Sequence, residues 1–201
     1  MKKLILIALM AMGIFFAQAQ TKGTNTVGLG VSLFTSKNNY DNQTQANQKS
    51  NSQAYSLSYG HFFSDNQKMS LDLDYQRQTY NNIENVKGYG LGLSYQKYYP
   101  IFKSFYGFAG GRGNYMYSKN TQNSGDFGYK SDTYSAAAFG GLSWFVSKRI
   151  ALEVDLLSVG VHLGTNKSTG SNTNSSSKFT AFSLSTAGAA GNFGFKVHIL
   201  F

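Results

Sequence analysis

The stretch GNFGFKVHILF, residues 191–201, decides the fold of this 201-residue chain. Its bulky apolar side chains recur at every second position up to the last residue. Because successive side chains of a β-strand point to opposite faces, the pattern predicts a strand whose other face carries Lys196 and His198. The predicted apolar face consists of Phe193, Phe195, Val197, Ile199 and Phe201.

Alternation recurs in seven segments upstream, which makes eight predicted strands. It is less clean in the second half, where the glycine-rich segment from Phe105 to Tyr117 has an ambiguous facing. The seven segments start near Val27, Tyr55, Met69, Tyr89, Phe105, Tyr134 and Ile150. We expect the last strand to pair with residues 27–33 and to close an even-stranded barrel. Residues 179–191 alternate only in part. We favour an extension of the eighth strand there, with a bulged segment or a ten-stranded barrel as the alternatives.

The connections between the predicted strands alternate in length. Those near residues 35–53, 80–88, 118–132 and 164–178 are mostly long and rich in Asn, Ser, Thr, Gln and Lys, whereas those near 63–68, 98–104 and 146–149 are short. Transmembrane barrels have short periplasmic turns and longer outer loops. The sequence therefore predicts an all-β, antiparallel, up-and-down transmembrane β-barrel with eight strands of about 11 residues.

The N-terminus has the three parts of a secretory signal: Lys2 and Lys3, an apolar run over residues 4–16, and the small-residue box Ala17-Gln18-Ala19. The apolar run is too short for a membrane-spanning helix, which needs roughly 20 residues. We expect residues 1–19 to be a cleaved signal peptide and residues 20–201 to form a single outer-membrane barrel domain.

Composition agrees with an exported β protein. The chain has one proline, 15% aromatic residues and no cysteine, so disulfides and thiol chemistry are excluded. Removal of the two signal lysines lowers the formal charge from +9 to +7. Such a chain suits anionic lipid headgroups, and export leaves no nucleic acid as a partner.

Aromatic residues gather near the predicted strand ends, as expected for the girdles of a membrane barrel. The predicted periplasmic set is Phe62, Phe63, Tyr98, Tyr99, Trp144, Phe145 and Phe201, and the predicted outer set is Tyr80, Tyr117 and Tyr134.

These features together resemble the OmpA/OmpX-type family of small outer-membrane β-barrel domains. The resemblance covers about 180 residues, and its most specific part is the strand that ends at Phe201. It implies location in the bacterial outer membrane and a C-terminal signal, formed by the apolar face of that strand, that the barrel assembly machinery reads. The family includes structural barrels, adhesion proteins, small pores and a few lipid-modifying enzymes.

Charged residues are predicted on the inward faces of several strands. The expected lumen charge network comprises Asp72, Asp74, Arg112, Glu153, Asp155 and Lys196. Buried charges need partners, so interior ion pairs are the favoured interpretation, and a proton- or cation-conducting path is the alternative. An eight-stranded barrel has room only for its own side chains or one small ligand.

The sequence offers no clear catalytic or metal-binding set. His61, His162 and His198 are scattered, lack metal-ligand spacing, and none begins the His-x-Ser pair of the lipid A deacylases. We expect no catalytic, cofactor-binding or metal-binding residues.

The predicted function is therefore a non-enzymatic structural or surface-interaction role, such as adhesion or envelope integrity. A narrow ion or small-solute pore is the first alternative and a lipid-modifying enzyme the second. Expected partners are outer-membrane lipids, lipopolysaccharide and an unidentified extracellular ligand. The predicted loops carry lysines that form either a solvated surface or contacts with lipopolysaccharide phosphates or glycans: Lys37, Lys49, Lys87, Lys119, Lys130, Lys167 and Lys178.

Overall fold

The computed structural model describes residues 20–38, 48–80, 83–121, 128–169, 174–186 and 193–201, and their regular structure is β-strand. The nine strands are β1 (Asn25–Asn38), β2 (Gln48–Ser64), β3 (Gln67–Tyr80), β4 (Ile83–Phe102), β5 (Phe105–Thr121), β6 (Gly128–Ser147), β7 (Ile150–Thr169), β8 (Asn174–Thr186) and β9 (Phe193–Leu200). Across these ranges, no helix is long and apolar enough to cross a membrane. The predicted signal peptide lies outside the described residues.

Eight of the strands form a closed ring. Strands β1 to β7 pair antiparallel with their sequence neighbours, and β9 pairs with both β7 and β1. The β1–β9 register runs from Thr26 opposite Leu200 to Leu33 opposite Phe193. This pairing confirms the predicted closure of the barrel by the last strand against residues 27–33.

Two successive strands occupy the eighth position of the ring. Strand β9 pairs with the first residues of β7, from Ile150 to Glu153. Strand β8 pairs with the later part of β7, from Leu157 to Thr169. Residues 179–186 belong to β8 and therefore continue the line of the eighth strand, which is the arrangement favoured from the sequence. Residues 187–192 lie outside the described part of the chain.

The strands are longer than predicted. Three of them have 20 residues, and much of the polar sequence assigned to loops extends the strands instead. Residues 83–88, for example, belong to β4. The prediction of strands of about 11 residues was wrong because the backbone hydrogen bonds between neighbouring strands form whether the side chains are polar or apolar. Polar side chains are tolerated on both faces wherever both faces meet water.

The two ends of the barrel differ. At the turn end, the tight connections β2–β3, β4–β5 and β6–β7 each leave two residues between strands. Asn66 and Lys103 adopt positive φ angles of 60° and 45° in the first two of these turns. The start of β1 and the residue after β9 meet here too, since Asn25 and Phe201 exchange backbone hydrogen bonds of 2.8 and 3.0 Å. We call the opposite end the loop end.

Candidate functional site

Small residues and charged residues lie next to one another on the strand faces that line the barrel interior, or lumen. Gly28 and Gly30 of β1 face His198 and Lys196 of β9 across the closing pair. A Cβ atom at Gly28 would lie 2.5 Å from His198 Nδ1, and one at Gly30 would lie 2.9 Å from Lys196 Cγ. The two glycines thus leave the space through which the long side chains of β9 reach the lumen.

A buried polar cluster centred on Glu153 lies in the turn half of the lumen. Lys68 Nζ lies 3.2 Å from Glu153 Oε1, and His198 Nε2 lies 3.1 Å from Oε2. Tyr98 donates its hydroxyl hydrogen to Oε1 at 2.6 Å, and Gln96 Nε2 donates to Oε2 at 3.3 Å. Lys68 and Glu153 are only 1% and 4% exposed. Buried charges of this kind are stable only when paired and hydrogen-bonded, as they are here.

Aromatic rings surround this cluster and fill the turn end of the lumen. Tyr98 packs at ring-centroid distances of 5.6 Å from Phe62, 6.0 Å from Phe108 and 6.2 Å from Phe145. We call the buried apolar set the aromatic layer: Phe62, Tyr98, Tyr106, Phe108, Phe139, Phe145, Ala151 and Leu200. These side chains come from six strands of the ring, so the barrel wall itself supplies the packing at the turn end of the lumen.

The aromatic layer corrects the predicted periplasmic girdle. Phe62, Tyr98 and Phe145 point into the lumen, whereas the adjacent Phe63 and Tyr99 are exposed on the outer surface. Trp144 stacks on Phe105 with a centroid distance of 5.4 Å. Two adjacent aromatic residues in a strand, which we call an aromatic doublet, must put one ring on each face. The girdle prediction was therefore wrong for the inward ring of each doublet.

Two further ion pairs lie beyond the aromatic layer, towards the loop end. Arg112 pairs with Asp155, and its guanidinium lies 3.8 Å from the centre of the Phe139 ring. Lys196 Nζ lies 2.9 Å from Asp72 Oδ1, while Ser94 donates a hydrogen bond to Oδ2 at 3.1 Å.

Asp74 differs from the other inward carboxylates. It accepts a hydrogen bond of 3.4 Å from Asn114 Nδ2, and no described cation forms an ion pair with it.

A cavity of about 340 Å³ lies in the lumen between these charged side chains. Its charged lining contains all six residues of the predicted lumen charge network: Asp72, Asp74, Arg112, Glu153, Asp155 and Lys196. The structure thus brings these residues together.

Sequence reasoning missed Lys68, the main partner of Glu153. The residue falls in a segment assigned to a turn, although counting back by twos from Asp72 through Ser70 places Lys68 on the inward face. That periodicity was the available signal.

The remaining candidate residues are dispersed. His61 Nδ1 lies 2.8 Å from Asn25 Oδ1, and His162 Nε2 lies 2.9 Å from Ser183 Oγ. No group of three or more metal-ligating side chains occurs in the described ranges. Phe195 and Ile199 of β9, and Phe201 directly after it, are exposed on the outer surface, opposite the face of Lys196.

The outer surface carries an apolar band between two sets of aromatic rings. Leu71, Leu91 and Leu93 are 44–60% exposed in this band. On β4, Tyr89 and Tyr99 border the band, and Lys97 lies on the same face with its ammonium 5.6 Å from the centre of the Tyr99 ring, at the turn-end border. Ten residues at about 3.3 Å each, tilted by about 40°, span roughly 25 Å, which is the height of the apolar band of outer-membrane barrels.

Comparison with solved structures identifies the fold. The structure resembles the N-terminal β-barrel domain of OprF from Pseudomonas aeruginosa, with a TM-score of 0.51 and 11% identity over 90% of this chain and 100% of that one. It also resembles the outer membrane protein OprG from the same organism, with a TM-score of 0.52 and 14% identity over 90% and 97% of the two chains.

No protein-family model matches the sequence, and a search of curated proteins finds no relative. The structural likeness, together with the closed ring of eight strands, shows that the chain has the fold of the small outer-membrane β-barrels.

Proposed function

We propose that this protein is a non-enzymatic barrel of the bacterial outer membrane with a structural or surface-interaction role. In this proposal residues 1–19 direct export and are removed, and the apolar face of β9 is the signal for the barrel assembly machinery. The turn end faces the periplasm and the loop end faces the exterior.

The exposed apolar band supports insertion in a membrane. Water-soluble proteins rarely expose contiguous apolar patches of more than a few hundred square ångströms. Here many outward-facing leucines and aromatic residues are about half exposed around the ring, and so is Val159. The leucines include Leu29, Leu57, Leu71 and Leu93. A hydrocarbon environment removes the cost of this exposure.

The packed turn end of the lumen is the observation that carries the structural role. A conducting pore needs a continuous water-filled path, but the aromatic layer and the Lys68–Glu153 pair occupy the lumen with side chains that are almost fully buried. Both carboxylate oxygens of Glu153 accept hydrogen bonds from protein side chains there. The lumen is therefore a closed interior that stabilises the barrel.

Two measurements on the full mature protein test the proposal. A folded barrel in detergent should migrate differently on a gel before and after boiling and give a β-type circular dichroism spectrum. In planar bilayers, the same preparation should show no steady conductance. Identical migration with a helical spectrum would refute the barrel in solution, and a stable single-channel current would refute the closed lumen.

A narrow pore is the second candidate, and the cavity of about 340 Å³ favours it. A pore would require the aromatic layer to move aside. Its signature is a steady current that falls when Asp72 or Glu153 is replaced by the corresponding amide, because these carboxylates line the cavity.

The proposal assigns no lipid-modifying activity to the barrel. His162 and Ser183 are in hydrogen-bond contact, but catalysis by such a pair also needs a group that orients the histidine. No carboxylate of the described residues contacts His162. Overproduction of the protein should leave the lipid A and phospholipid acyl chains unchanged by mass spectrometry, and a new acylation state would contradict the non-enzymatic role.

A further inference from the structure

Four lysines stand side by side on the outer surface of the barrel near its loop end. Lys87 of β4 is paired with Lys119 of β5, Lys119 with Lys130 of β6, and Lys130 with Lys167 of β7. All four side chains are exposed. We call Lys87, Lys119, Lys130 and Lys167 the lysine row. The sequence pattern suggested scattered loop lysines, whereas the strand register aligns them.

The alignment is unfavourable for the protein alone. Directly opposed side chains on neighbouring strands have Cβ atoms about 5 Å apart, and like charges in such positions are destabilising. Four successive strands at spacings of about 4.8 Å bring four ammonium groups into roughly 14 Å of surface. In the described chain, Lys119, Lys130 and Lys167 form no ion pair with a carboxylate. The row therefore fits an external polyanion.

The acidic residue that is closest in sequence to a lysine of the row already has a hydrogen-bond partner. Asp132, two residues from Lys130, accepts a hydrogen bond of 2.7 Å from the hydroxyl of Tyr115. This contact holds the carboxylate against the tyrosine, on the side of the row nearer the apolar band.

The position of the row indicates which anion it meets. Tyr89 and Tyr117 lie two residues below Lys87 and Lys119 on the same strand faces, towards the apolar band. Two residues correspond to about 7 Å along a strand. Tyrosine rings at the edge of an apolar band sit at headgroup depth. The ammonium groups are thus level with the phosphate groups of the lipids around the barrel rather than with the hydrocarbon.

We propose that the lysine row is a binding site for the phosphate groups of a phosphorylated lipid in the outer leaflet. This inference rests on the proposed membrane function and assigns it a lipid-binding surface on strands β4 to β7. Lysine ammonium groups bind phosphate oxygens as point charges, so neighbouring lysines that share one or two phosphates would relieve their mutual repulsion.

The test compares phosphorylated and dephosphorylated lipid A bound to the purified full barrel in detergent, measured by native mass spectrometry and by titration calorimetry. The triple variant Lys119→Gln, Lys130→Gln, Lys167→Gln should bind phosphorylated lipid A roughly tenfold to a hundredfold more weakly than the parent. The matched control replaces Lys97, Lys103 and Lys148, three lysines at or near the turn end, by glutamine and should bind like the parent.

The possible results of this experiment distinguish a failure of the lysine row as a binding site from a failure of the proposed membrane function. Equal binding by the triple variant and the parent, or equal binding of the two lipids by the parent, would overturn the lysine row as a phosphate site. Saturable binding of inorganic phosphate at the same concentration would overturn the assignment to a lipid. Heat-dependent gel mobility of each variant reports on the barrel separately, so loss of lipid binding with an intact mobility shift supports the site.

Discussion

Lys68 and Glu153 are 85 residues apart in the chain, and the ammonium of the first lies 3.2 Å from a carboxylate oxygen of the second. Their strands, β3 and β7, are four positions apart in a ring of eight, so the ion pair spans the lumen between opposite walls. Tyr98 and Gln96 of β4 also donate to Glu153. The contact therefore links distant parts of the wall across the interior.

Removing one member of this pair should destabilise the barrel strongly. We expect Lys68→Met or Glu153→Gln to lower the free energy of unfolding in lipid vesicles by about 3–5 kcal/mol, because each leaves a buried polar partner unsatisfied. The double variant should cost less than the sum of the two. Lys97→Gln, at an exposed lysine on the outer face of β4, should change stability by less than about 0.5 kcal/mol. Additive effects in urea titrations would contradict the coupling.

The aromatic doublets provide a matched test of the closed lumen. Replacing the inward rings Phe62, Tyr98 and Phe145 together by alanine should produce a steady current in planar bilayers, because the packing that closes the turn end is removed. Replacing the adjacent Phe63, Tyr99 and Trp144 should leave the barrel non-conducting. A silent inward variant that still shows heat-dependent mobility would show that other side chains close the lumen.

The wall of the barrel was predictable from the sequence because period-2 alternation reports which face meets lipid. Residues 27–33 and 193–201 both alternate cleanly, and their pairing followed from the need to close an even-stranded sheet. Lys68 was missed because its segment was assigned to a turn, although the alternation of β3 continues through Lys68. The inward rings of the doublets were missed because two adjacent aromatic residues are equally apolar. Only the pleat of the strand decides which of the two points into the lumen.

The lysine row was beyond sequence reasoning for another reason. The pattern within one strand does not say which residue of the next strand lies opposite a lysine, and only the register of four consecutive strands shows that the lysines are neighbours. Register depends on turn lengths and bulges, such as the irregularity between Gly140 and Gly141, and these follow from pairing across the sheet rather than from local pattern.

The apolar band predicts a depth-dependent response to charge. Leu93→Arg, near the middle of the band on β4, should destabilise the protein in vesicles by about 2–4 kcal/mol, whereas Ile101→Arg at the turn end should cost about 1 kcal/mol or less. Both residues are about 60% exposed, so burial within the protein does not distinguish them. Equal costs in urea titrations would contradict the placement of the band.

Gly110 marks a point where the sheet tolerates no side chain. A Cβ atom there would clash with the backbone carbonyl oxygen of Tyr95, whereas one at Gly113 would meet nothing nearer than 3.9 Å. We expect Gly110→Ala to lower the free energy of unfolding by about 1–3 kcal/mol, because a backbone obstacle cannot rotate away. Gly113→Ala on the same strand should be neutral or stabilising by less than about 1 kcal/mol. Equal effects of the two would contradict the β4–β5 packing.

Asp72 and Asp74 are two residues apart on the same inward face of β3 and should respond oppositely to loss of charge. Asp72 holds Lys196 at 2.9 Å and accepts from Ser94, so Asp72→Asn should cost about 1–3 kcal/mol by leaving the ammonium without its carboxylate. Asp74 accepts only from Asn114 among the described contacts, and an amide oxygen at position 74 still accepts that hydrogen bond. Asp74→Asn should therefore be neutral or stabilising, because it removes a partly buried charge that has no ion-pair partner in the described structure. Urea titrations of both variants in one vesicle preparation measure the contrast, and a larger loss for Asp74→Asn would show that Asp74 is held by a cation from outside the described residues.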